Sequence, residues 1–122
     1  MTDQIAKPMP PHNPDWEVTP DQVREWLKQG EDIFILDVRR PEEWDIARLE
    51  KAVLIPLQQL PERVHELNDH RHKRLVIHCH HGVRSLRATA LLRELGFQQV
   101  HSMAGGIDAW SLTIDSAVPR YR

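Results

Sequence analysis

Apolar positions along the chain fall into short continuous runs that alternate with stretches of helical spacing. Residues 33–38 (Ile33, Phe34, Ile35, Leu36, Asp37, Val38), 52–56 and 75–79 are nearly unbroken apolar runs. Such runs fit strands covered on both faces, as in a parallel sheet. Residues 99–103 supply a further strand. Helical signals lie between them. Thr19 can cap a helix that Pro20 opens and Gln22 supports. Val23, Trp26 and Leu27 then share a face, and Gly30 suits the left-handed position beyond its end. Pro41 opens a short helix with Glu42 and Glu43 in its first turn. Pro61 begins another, with Leu60, Val64 and Leu67 roughly in phase. Residues 85–95 place Ala88, Leu91, Leu92 and Leu95 on one face, and Gly96 stops them. Gly105 and Gly106 turn into a closing helix that carries Trp110. Strands and helices alternate through connections too long for hairpins. This predicts an α/β fold with a mainly parallel sheet and helices on both faces. Ligands of such sheets bind beyond the carboxyl ends of the strands.

Composition narrows the function classes. The chain has 122 residues, 40% of them apolar and 28% charged, with 16 Lys and Arg against 18 Asp and Glu. Length predicts one domain, over residues 16–122. Residues 1–15, dense in Pro8, Pro10, Pro11 and Pro14, read as a mobile proline-rich arm. A net charge of −2 and pI near 6.4 argue against an electrostatic nucleic-acid partner. No apolar run reaches the 18 or so residues of a membrane span, and the first residues have no apolar core of signal-peptide length. One cysteine excludes an internal disulfide, and a soluble cytoplasmic protein is the expectation.

That cysteine stands in Ile77-His78-Cys79-His80-His81-Gly82-Val83-Arg84-Ser85-Leu86, which reads as a strand, a tight loop and the first turn of a helix. The thiol is thereby placed where loop amides converge and a helix N-terminus points positive, an environment that stabilises an anionic sulfur. Gly82 can supply a positive φ, and Arg84 adds a permanent cation at the lip. These parts make an anion cradle around a nucleophile. A buried, inert thiol is the bland alternative.

The residues as a set resemble the rhodanese, or thiosulfate sulfurtransferase, family. The likeness runs from about Trp16 to Tyr121. It rests on Ile35-Leu36-Asp37-Val38-Arg39 followed by Pro41-Glu42-Glu43-Trp44, on Ala52-Val53-Leu54-Ile55-Pro56-Leu57, on the loop from Cys79 to Ser85, and on Leu95-Gly96-Phe97 leading to Gly105-Gly106-Ile107-Asp108-Ala109-Trp110. The resemblance implies a five-stranded, mainly parallel sheet and a cysteine that takes up a sulfane sulfur as a persulfide. Cys79 would be that nucleophile. His80, His81, Gly82, Val83 and Arg84 would hold the outer sulfur, while Asp37, Arg39 and Ser85 would serve structure beside the site. The implied partners are a small donor such as thiosulfate and a thiol or cyanide-like acceptor, or alternatively a protein to which a relay module hands its sulfur. The intermediate is covalent, so no cofactor is implied. Cys79 through Arg84 spans Cys-x4-Arg, the length the resemblance assigns to sulfur transfer. The related phosphatases use one residue more, so negligible phosphatase turnover is expected. In place of the Gly-His-Ile-Pro-Gly-Ala of many members, this chain has Ala47-Arg48-Leu49-Glu50-Lys51-Ala52.

His70, His72, His78, His80 and His81 raise the question of a metal, but no helical His pair or carboxylate cluster completes one, so solvated or loop-lining roles are expected. His80 and His81 hold positions where a permanent cation would attract thiosulfate. Mostly neutral at pH 7, they predict weak thiosulfate turnover that improves below about pH 6.5. Trp16, Trp26, Trp44 and Trp110 read as packing residues.

Overall fold

A computed structural model describes residues 15–122 of the chain, so the arm expected over residues 1–15 lies, apart from Asp15, outside the described residues. The order of elements is β1 (Glu17–Val18), α1 (Pro20–Lys28), β2 (Ile33–Asp37), α2 (Pro41–Ile46), β3 (Val53–Leu54), α3 (Leu60–Arg63), β4 (Arg74–His78), α4 (Val83–Glu94), β5 (Gln99–Met103) and α5 (Gly106–Thr113). The strands lie in the order β1-β5-β4-β2-β3, and every pairing is parallel. The mainly parallel sheet is therefore wholly parallel. Its short edge strand Glu17–Val18, paired with Ser102 and Met103, carries almost no sequence signal of its own.

Side-chain alternation along the strands divides the core. Leu75, Ile77 and Cys79 face one side, with Leu60 and Leu67 from the region of α3 and Ala88 and Leu92 from α4. Val76 faces the other, with Val23 of α1, Met103 of β5 and Ile107 of α5. Helices thus cover both faces, and the middle strands are buried for that reason. Thr19 caps α1 by accepting from the Gln22 amide at 3.1 Å, and Gly30 follows with φ +76°. Leu27, expected on the buried face, is 39% exposed, while Val23 is buried and Trp26 packs against the core. Pro61 lies at the start of a single α-turn, and the chain then runs as a 3-10 helix over Val64–His70 rather than as one regular helix. Leu60 and Leu67 are buried all the same. Helix α4 starts at Val83, two residues before the sequence pattern marks it, and Leu95 at its far end is 43% exposed.

All four tryptophans are half-buried. Guanidinium groups lie over three of them: Arg93 over Trp16, Arg74 over Trp26 and Arg48 over Trp44. Among the described residues no helix is long and apolar enough to cross a membrane. The chain winds outward from β2 to β3 and then returns across β2 to β4. The carboxyl ends of β2 and β4, where Asp37 pairs with His78, therefore flank the point at which the winding reverses.

Candidate active site

Cys79 is the first residue after β4, and its side chain is nine-tenths and more hidden, with the residue 1% exposed. The sulfur is not enclosed in hydrocarbon alone. The Gly82 amide donates to Sγ at 3.0 Å and the Ser85 amide at 3.4 Å, while Ser85 Oγ lies 3.5 Å away. Ser85 is held in turn by Ser102 Oγ of β5 at 2.8 Å and by the Gly82 carbonyl at 3.2 Å. The first amides of a helix have no partner within it, so those of α4 are free to face an anion.

The loop is turned so that its carbonyls point the other way. The Cys79 carbonyl accepts from the Ile107 amide at 2.8 Å and the His80 carbonyl from the Asp108 amide at 3.1 Å, both in the first turn of α5. Two glycines make this approach possible. Gly82 has φ +108°, which lets the chain reverse under the sulfur. Gly106 has φ +62°, and a Cβ there would collide with the carbonyls of Cys79 and His80.

Asp37 and Arg39 form a fully buried pair beneath the site. Arg39 Nη2 donates to Asp37 Oδ2 at 2.6 Å and to the Ala47 carbonyl at 2.6 Å, and Nε donates to Asp37 Oδ1 at 2.9 Å. The bidentate geometry and the backbone acceptor offset the desolvation of both charges. Burial works to lower the Arg39 pKa, but its bonds to Asp37 and to Tyr121 carry it higher. His78, fully buried, has Nε2 3.7 Å from Asp37 Oδ2. Burial pushes its pKa down, Asp37 pulling upward and Arg39 downward, so the ring is neutral. His78 is a core residue rather than a solvated one.

Arg84 does not face solvent unpaired. Its Nη1 and Nη2 donate to the two oxygens of Glu43 at 2.6 and 2.9 Å. The same carboxylate accepts from the Tyr121 hydroxyl at 2.8 Å and the Arg40 amide at 3.0 Å. Burial would raise the pKa of Glu43, yet the bonds from Arg84, the Arg40 amide and Tyr121 hold it at about 2. The Tyr121 hydroxyl also accepts from Arg39 Nη1 at 2.8 Å, and burial leads the causes that push its pKa up to about 12. Its ring stacks on His80 with centroids 3.9 Å apart and planes 9° from parallel. His80, 8% exposed, is pressed on its other neighbour His81, with ring centroids 3.9 Å apart. Burial, followed by His81, lowers the His80 pKa, so any cationic form of this ring belongs to lower pH than the sequence alone implies. His81 is exposed, with Nδ1 3.9 Å from Asp108. Val83, at the helix start, is 54% exposed.

A cleft of about 390 Å³ opens beside the loop, lined by Glu43 and Ile46 of α2, His80 of the loop, Arg84 of α4, and Tyr121 and Arg122. Among the described residues no group of three or more His, Cys, Asp or Glu is arranged to hold a metal ion. The structure thus brings together Cys79, His80, Gly82, Arg84 and Ser85, with Asp37 and Arg39 one layer below. It also adds Glu43, Tyr121 and Ser102, which sequence reasoning did not assign to the site. Glu43 had a signal, since an acid at the third position of a proline-opened helix commonly reaches back to the chain before it. Tyr121 had none, because its partners lie about 80 residues away in sequence.

Comparison with known proteins bears on the family and the fold. The Rhodanese-like domain family matches residues 19–113. A sulfurtransferase of Allochromatium vinosum is 32% identical over 95 residues, covering 78% of this chain and 87% of that protein. The probable adenylyltransferase/sulfurtransferase MoeZ of Mycobacterium tuberculosis is 35% identical over 94 residues, covering 77% of this chain; the chain spans only 24% of MoeZ. Among solved structures, a rhodanese-like domain protein of Staphylococcus aureus superposes with TM-score 0.73 at 27% identity, covering 88% of this chain and 99% of that one. The human single-domain sulfurtransferase TSTD1 gives 0.70 at 26%, covering 80% and 96%. With its parallel sheet, its lone cysteine at the winding reversal and a family match over most of its length, the chain belongs to the rhodanese-like sulfurtransferase family.

Proposed function

We propose that the protein is a sulfurtransferase in which Cys79 takes up a sulfane sulfur and passes it to a thiophilic acceptor. The observation that carries the reading is the pair of amides, from Gly82 and Ser85, aimed at Sγ. In the first half-reaction the Cys79 thiolate attacks the outer sulfur of a donor such as thiosulfate. A new S–S bond forms, the old one breaks, and sulfite leaves with its electron pair. In the second, cyanide or a thiolate attacks the outer sulfur of the persulfide and returns Cys79 as thiolate. The loop's donors are already oriented, so the extra negative sulfur meets fixed dipoles rather than reorganising solvent. Asp37 and Arg39 hold the ends of the strands in register beneath the loop and take no part in bond making. A relay to a protein acceptor uses the same persulfide and differs only in its second step.

Intact mass spectrometry after incubation with thiosulfate tests the reading. A gain of about 32 Da, one sulfur atom, is expected on the wild type, removable by cyanide and absent from Cys79→Ala. A wild type that gains no mass from thiosulfate or from a low-molecular-weight persulfide would end it.

A further inference from the structure

Arg84, in the first turn of α4, is the one permanent cation from Cys79 to Ser85, and both of its terminal nitrogens are committed to Glu43. That commitment is braced from behind. The Tyr121 hydroxyl accepts from Arg39, which is itself locked to buried Asp37, so its proton is left to point at Glu43. The stack on His80 fixes the ring that carries the hydroxyl. Tyr121 lies beyond residue 113, where the match to the family model ends, and it reaches Glu43 from the C-terminal segment that follows α5.

We propose that Tyr121 is a positioning residue that sets the charge class of the sulfur donor: by bracing Glu43 against Arg84 it withholds the loop cation from a dianionic donor and favours donors carrying a single negative charge. The inference rests on the persulfide reading above and deepens it. A guanidinium already bound in bidentate fashion to a carboxylate offers an incoming dianion no unpaired charge and brings the carboxylate's own repulsion with it. The other charges facing the cleft are Arg40, Glu42 and Arg122, at its rim. Arg40 Nε lies 3.6 Å from Glu43 as well, and the Arg40 side chain is 65% exposed, so solvent and salt weaken its pull.

Thiosulfate and methanethiosulfonate separate charge from chemistry. Both present a terminal sulfur on a sulfonyl centre, and methyl replaces one anionic oxygen in the second. Cys79 thiolate forms the same S–S bond with either, and sulfite or methanesulfinate departs with the electron pair of the broken one. The measurement is kcat/KM for each donor, with cyanide as acceptor, in wild type, Tyr121→Phe and Glu43→Gln. Tyr121→Phe keeps the ring stack and removes only the hydroxyl. It is expected to raise the thiosulfate-to-methanethiosulfonate ratio by about 3- to 10-fold, through a lower KM for thiosulfate, and Glu43→Gln by more. The gain should vanish at about 1 M ionic strength, which a purely structural effect would not do. A donor ratio that stays put in Tyr121→Phe, or equal losses for both donors, overturns the proposal. Should a variant not fold, the wild type still decides. Its kcat/KM for thiosulfate should respond to added salt no more than that for methanethiosulfonate, and a markedly steeper fall overturns the proposal. Absence of any mass gain on Cys79 from either donor would instead sink the persulfide reading. Loading with an unmoved ratio sinks only the role of Tyr121.

Discussion

Replacing Glu43 by glutamine isolates the charge of one carboxylate that four donors surround at nearly constant shape. Glu43 is 5% exposed, and its pKa falls from 4.5 to about 2 on folding. At about 1.4 kcal/mol per pH unit, that fall corresponds to about 3 kcal/mol of stability supplied by the ionised form. Because the folded value is the lower one, the contribution is complete above the unfolded value and is lost as pH drops through the folded value. Between wild type and Glu43→Gln, the gap in unfolding free energy should therefore be about 3 kcal/mol at pH 7 and shrink to about half that at pH 3. Urea unfolding followed by tryptophan fluorescence at pH 7, 4 and 3 measures it, with equal m-values as the control on the denatured state. A gap that stays constant across that range, or one below about 1 kcal/mol at pH 7, would refute the account of Glu43 as the anchor of Arg84, Tyr121 and the Arg40 amide.

Substitutions at two further positions probe the backbone. Gly106→Ala forces a side chain into the left-handed region and against the carbonyls of Cys79 and His80. It should cost about 2–4 kcal/mol and slow sulfur loading of Cys79, read by mass spectrometry, by about 10-fold or more; an unchanged loading rate contradicts the packing argument. Lys51, with φ +68°, is the one non-glycine residue of positive φ among the described residues, and it stands where the family pattern carries glycine. Lys51→Gly should raise stability by about 1 kcal/mol, seen as a higher urea midpoint, while Lys51→Ala should not.

The layered α/β architecture was legible because its strands are buried on both faces and so carry unbroken apolar runs, as at residues 75–79. The cysteine could be placed because it ends such a run just before Gly82 and a helical pattern. Less regular parts escaped. Glu17–Val18 forms a strand only because β5 offers it an edge, and two residues carry no period. The stretch after Pro61 keeps its buried leucines while changing helix type, since burial constrains side chains more firmly than it constrains the hydrogen-bond step. The site was half visible. Its cysteine and loop are contiguous in sequence, whereas the Glu43–Tyr121 brace is made by folding and has no local signature. Arg84 illustrates the limit: a free cation in the sequence is a neutralised one in the structure.

The loop that surrounds Cys79 is secured by main-chain groups, its carbonyls by α5 and its sulfur by the amides of Gly82 and Ser85. Peptide groups are common to every residue type, so the side chains at positions 80, 81 and 83 are spared the task of keeping the cysteine sulfur in place. Exchanges there can alter the surface around the loop while the sulfur stays put. Under the proposed sulfur transfer, donor preference is thus free to drift around a fixed sulfur, with the glycines at 82 and 106 as the positions that drift cannot touch.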